Sequence, residues 1–125
     1  MTTPHFDRHI SVWMEKLDSS IWLECDGMTR CLSMLLTRLA VPHQVLIGQL
    51  TLRGAESPLH WWIQLADGRL IDLRARMWLG HSREVPHGLF SPTPHMLYRA
   101  TNTLVVEIDP WLFQVLSGQS MEEFF

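Results

Sequence analysis

Apolar residues recur at helical spacing in the first third of the chain and then give way to short β-rich runs, a change of period that separates helices from strands. Phe6, Ile10, Trp13 and Leu17 mark an opening helix with Thr3 as N-cap and Pro4 in its first turn. Asp18-Ser19-Ser20 interrupts the pattern. From Asp26 to Ala40, Met28, Cys31, Leu32, Leu35, Leu36 and Leu39 form one continuous apolar stripe, which predicts a central buried helix with Cys25 at its start. Val41-Pro42 stops it. Val45–Leu52, Leu59–Leu65 and Arg69–Leu73 then read as strands, the last two joined by Asp67-Gly68.

Periodicity is lost between Ala75 and Met96, where Pro86, Pro92 and Pro94 fall, and this segment is expected to be a long loop. Asn102–Ile108 is β-rich. Asp109 as N-cap and Pro110 next to it predict a short helix, Trp111–Leu116, closed by Gly118. The order α, α, β, β, β, loop, β, α predicts an α+β fold, a central helix packed on a small antiparallel sheet. Residues 1–125 are read as a single domain.

At 125 residues and 46% hydrophobic content the chain can fill one core. A net charge of −3 with only ten scattered Lys and Arg argues against a nucleic-acid partner. The first residues carry no basic segment followed by an apolar run, and no stretch approaches the length of a membrane span, so a cytoplasmic chain without a membrane partner is expected. Cys25 and Cys31, spaced within one helix, are expected to be free thiols.

A thiol needs ionising before it is a nucleophile, and the partial positive charge of a helix start favours that; Cys25 sits there, whereas Cys31 reads as a small buried hydrophobe. His60 and Asp72 lie downstream on two strands whose register decides their relation. A two-residue Asp67-Gly68 turn puts them on opposite faces; a three-residue loop with Gly68 in a left-handed bulge pairs Trp62 with Asp72 and puts them on one face. In the second register Asp72 can orient the imidazole. Arg74 and Arg76 read as structural ion-pair partners. His60, His81, His87 and His95 lack the tight spacing of a zinc site, so neither metal nor cofactor is expected. Trp13, Trp22, Trp78 and Trp111 read as core or groove-lining aromatics.

Glu24-Cys25-Asp26-Gly27-Met28-Thr29, the Leu-rich helix and Ala40-Val41-Pro42-His43-Gln44-Val45-Leu46-Ile47-Gly48 together resemble the core of transglutaminase-like (papain-like fold) cysteine proteins. His60-Trp61-Trp62-Ile63 is similar to that family's His-Ala-Trp-Val, and Asp67-Gly68-Arg69-Leu70-Ile71-Asp72 to its Asp-Gly-x-hydrophobic-x-Asp. The likeness runs from Glu24 to about Leu73. It implies a Cys25 nucleophile, His60 as general base and acid and Asp72 as orienter, acting on a peptide or protein amide by hydrolysis, deamidation or acyl transfer. Trp22 and Trp62 are the expected substrate contacts, and the Cys25 N–H with Trp22 or Ser20 the expected oxyanion donors. Trp61 departs from the family pattern by standing where it has a small residue. A catalytically silent protein-binding or inhibitory module on the same fold is the alternative.

Overall fold

The computed structural model describes the backbone from Pro4 to Phe125 and the side chains from Asp7 onward. The Thr3 cap and the Phe6 side chain lie outside the described residues. Helix α1, Pro4–Asp18, buries Ile10, Trp13 and Leu17, as their spacing requires. Helix α2, Cys25–Arg38, buries Met28, Cys31, Leu32, Leu35 and Leu36. Leu39, the last member of the sequence stripe, is instead the C-cap and 44% exposed, because the helix ends before it and Ala40 turns the chain at φ 55°.

The strands are β1 (His43–Leu52), β2 (Ala55–Glu56), β3 (His60–Leu65), β4 (Leu70–Asp72), β5 (Gly88–Phe90) and β6 (Met96–Leu104). They form one antiparallel sheet in which β1 pairs with β2, β3 and β6, β3 with β4, and β4 with β5. In the β3–β4 hairpin Ile63 pairs with Ile71 and Gln64 with Leu70, while Leu65 N–H donates to the Arg69 carbonyl at 2.8 Å. Ala66-Asp67-Gly68 is therefore a three-residue loop, with Gly68 at φ 92°, and the bulged register is the one adopted. At Gly48, opposite His60, a Cβ would lie 1.9 Å from the Arg99 carbonyl oxygen of β6, so only glycine lets the two strands pair there.

Val45, Ile63, Leu65 and Ile71 face α2 in the main core, while Leu46, Trp62 and Leu70 pack with Phe90 and Tyr98 on the other face. Tyr98 of β6 reaches Asp72 of β4, three strands away, at 2.8 Å. In a flat sheet those strands would stand about 14 Å apart, so the sheet is rolled around the Trp62 face. Helix α4, Pro110–Ser117, starts at Asp109, whose side chain accepts from Leu112 N–H, and ends at Gly118 in the left-handed region. A short 3-10 helix, Met121–Phe124, closes the chain over α1, where Trp13 Nε1 donates to the Phe124 carbonyl.

Two sequence expectations are corrected. The segment read as a loop contains helix α3, Ala75–Leu79, and strand β5; both are too short to show a period. The strand assigned to Asn102–Ile108 is Met96–Leu104, since β6 pairs only with β1 and is mostly exposed, so its own residues read polar, whereas Val105 and Ile108 lie exposed beyond it.

Truncation of Leu35 to Ala is expected to cost about 2–5 kcal/mol of unfolding free energy by chemical denaturation, as a fully buried core side chain. Leu39→Ala, at the exposed helix end, should stay within roughly 0.5 kcal/mol of the parent protein.

Candidate active site

Asp72 ends β4 on the same face as His60, which begins β3, and the bulged hairpin brings the two together. His60 Nε2 lies 2.7 Å from Asp72 Oδ2, with both side chains closed to solvent. The phenol of Tyr98 donates to the same oxygen. Oδ1 accepts from the backbone N–H groups of Arg74 and Ala75, each at 3.0 Å, at the start of α3. The carboxylate thus has four donors, its full complement. Trp62 stacks edge-on against Tyr98 with centroids 4.9 Å apart.

Cys25 is the first residue of α2; the N-cap Glu24 makes no side-chain hydrogen bond, while Gly27 N–H donates to Asp26 Oδ1 and Met28 N–H to the Glu24 carbonyl. Arg30, further along α2, lies over the Trp61 ring, so the helix start stands over the beginning of β3. Burial pulls the His60 pKa down and is the largest single influence on it. Hydrogen bonds to Asp72 and Cys25, with the charges on both, together outweigh burial and raise it from 6.5 to about 9. Cys31, by contrast, has its thiol pushed up to about 12 by burial alone. The phenol of Tyr98 is likewise raised by burial and by the Asp72 carboxylate beside it, so it acts as a neutral donor.

The segment leading to Cys25 is fixed from two sides. Arg74, two residues beyond Asp72, donates Nε to the Leu23 carbonyl, Nη1 to Asp18 and the Leu73 carbonyl, and Nη2 to the Ser20 carbonyl. Ser20 Oγ donates to the Ser117 carbonyl, and Trp22 Nε1 to the Leu116 carbonyl at 2.8 Å. Arg74 is thus structural, as its sequence position implies. The Ser20 hydroxyl and the Trp22 indole, considered as oxyanion donors, are both engaged with α4, which leaves the backbone N–H of Cys25 from that set.

Of the aromatics assigned to substrate, Trp22 is 62% exposed and Trp62 only 1%. Trp62 is therefore corrected to packing beneath the site, because its strand turns it into the rolled face under Tyr98. Two groups were not legible. Tyr98 lies in a strand whose bounds the sequence misplaced. Trp78 sits on α3 inside the apparent loop, and its indole Nε1–H donates to His60 Nδ1 at 3.2 Å.

Among the described residues the chain is an α+β protein of four α-helices and a six-stranded antiparallel sheet, and no helix there is long and apolar enough to cross a membrane. No protein-family model, curated protein or solved structure matches it.

Because His60 binds a proton more readily folded than unfolded, its contribution to stability is full below about pH 6.5 and is lost as pH rises through about 9. The unfolding free energy from urea denaturation should fall across that window by an amount on the order of a few kcal/mol, and the midpoint with it. A His60→Gln variant should lose this dependence; an unchanged midpoint-against-pH curve in that variant would show that other groups carry it.

Proposed function

We propose that the chain is a transglutaminase-like cysteine enzyme that cleaves or transfers the acyl group of a peptide or protein amide through Cys25, His60 and Asp72. The observation that carries this reading is a fully buried imidazole held at 2.7 Å by a four-donor carboxylate, with its pKa raised in part by the thiol that begins α2. The Cys25 Sγ–H proton passes to His60 Nδ1, since Nε2 is committed to Asp72. The thiolate then attacks the amide carbonyl, and the carbonyl π electrons move to oxygen, where the Cys25 backbone N–H supports the negative charge. His60 gives its proton to the leaving amine, the C–N bond breaks and a thioester remains. Water or a second amine, losing a proton to His60, releases the acyl group and restores the thiol. Asp72 keeps Nε2–H in place and supports the imidazolium throughout.

A silent binding module on the same fold is favoured by one observation, the near-complete closure of Cys25 at 6% exposure. Iodoacetamide labelling at limiting reagent, located by peptide mapping, separates the two. Cys25 should label well ahead of Cys31, and His60→Gln should slow Cys25 by roughly tenfold or more. Equal rates at the two cysteines, or a Cys25 rate indifferent to His60, would remove the enzyme reading. Cys25→Ala, as a buried site, is expected to lower stability by less than Leu35→Ala, so loss of labelling in that variant can be scored on a folded chain.

A further inference from the structure

The site as folded is shut. His60 has no exposed surface and Cys25 almost none, so no carbonyl can reach the sulfur without a movement. The hydrogen-bonding pattern points to the side chain that closes it. With Nε2–H donating to Asp72, Nδ1 is the nitrogen that must take the thiol proton, and that is the atom to which Trp78 donates. A ring nitrogen has one in-plane lone pair; while an indole N–H occupies it, it cannot accept from a thiol, and once protonated it meets the indole as donor against donor. We propose that Trp78 is a positioning residue that caps His60, and that a peptide substrate enters by lifting its indole from Nδ1, which frees that nitrogen for proton transfer from Cys25. This rests on the function proposed above.

Trp78 is suited to the movement. It is 37% exposed although it touches a fully buried ring, so its N–H can pass to water or to a substrate carbonyl when displaced. It lies on a five-residue helix ending at Gly80, whose φ of 92° starts a turn that no side chain obstructs. The other side of α3 borders an open groove of about 390 Å³, between Met77 and Arg76 and the Ile21 segment that leads to Cys25. The ionisable groups acting on His60 are Asp72 of β4 and Cys25 of α2, with Tyr98 of β6 acting through Asp72. They favour proton uptake, and the cap opposes it.

Trp78→Phe removes the N–H and keeps most of the ring. Loss of one hydrogen bond should raise the His60 titration midpoint by about half to one pH unit, and speed iodoacetamide labelling of Cys25 about threefold to tenfold near pH 9, where the ring is in part neutral and Nδ1 has a lone pair for the indole to occupy. In the parent protein the Trp78 indole resonance, assigned by its disappearance in this variant, should shift as His60 titrates and again on alkylation of Cys25. Unaltered labelling and an unaltered His60 midpoint in Trp78→Phe would overturn the cap while leaving the enzyme reading in place, provided Cys25 still outpaces Cys31. An inert Cys25 in both proteins would overturn the two together. Should the variant not fold, an indole resonance in the parent protein insensitive to His60 titration is sufficient to reject the cap.

Discussion

The Asp72 carboxylate is the constraint around which the rest of the molecule is arranged. A buried carboxylate without partners costs several kcal/mol, so every group that pairs with it must be in place at once. Here the partners come from three elements: the His60 ring of β3, the Tyr98 phenol of β6 and two backbone N–H groups at the start of α3. The roll of the sheet is what lets β6 contribute. A slip of one residue in the β3–β4 hairpin would exchange Asp72 for Ile71 and turn the carboxylate into the apolar core that Ile71 now occupies. The left-handed Gly68 that sets the register thus decides whether the buried charge has partners.

The same strand end also fixes the chain segment that leads to Cys25. Arg74 holds the chain before Cys25 through the Ser20 and Leu23 carbonyls and Asp18, while Ser20 and Trp22 tie it to the end of α4. Carboxylate and helix start are therefore referred to one short stretch, Asp72 to Arg74, rather than being positioned separately. That economy has a chemical consequence. Donors used to hold the loop are not available to an oxyanion, so in the proposed reaction the stabilisation of a tetrahedral intermediate falls on the Cys25 backbone N–H.

What the sequence disclosed follows how strongly each feature is written into local pattern. The stripe of α2, the Asp109-Pro110 start of α4 and the Gly68 bulge were legible because each rests on neighbouring residues alone. Cys25, His60 and Asp72 were picked out as one set through spacing and hairpin register; the register does bring His60 to Asp72, at 2.7 Å. Tyr98 and Trp78 could not be found, since both reach the site through tertiary folding from segments without a period of their own. Trp62 was misassigned for a related reason: alternation along β3 places it on the His60 face, but only the roll of the sheet shows that this face closes over it.

A site in which every polar group is paired is stable, but the same pairing leaves it inert until some bond is given up. The bonds around His60 differ sharply in what their loss would cost. Parting His60 from Asp72 would strand two groups with no access to water, and parting Tyr98 from Asp72 would remove a donor from an already buried charge. The Trp78 bond is different, because its donor lies at the surface and can be re-satisfied by solvent, while the Nδ1 it leaves has the Cys25 thiol as an alternative partner. In the opening proposed above, the bond given up is therefore one whose rupture leaves nothing buried and unpaired, and it frees the nitrogen that the proposed proton transfer requires. Stability and reactivity are thereby assigned to opposite sides of the same ring: Nε2 is held permanently by the carboxylate, and Nδ1 is held by a bond that can be exchanged.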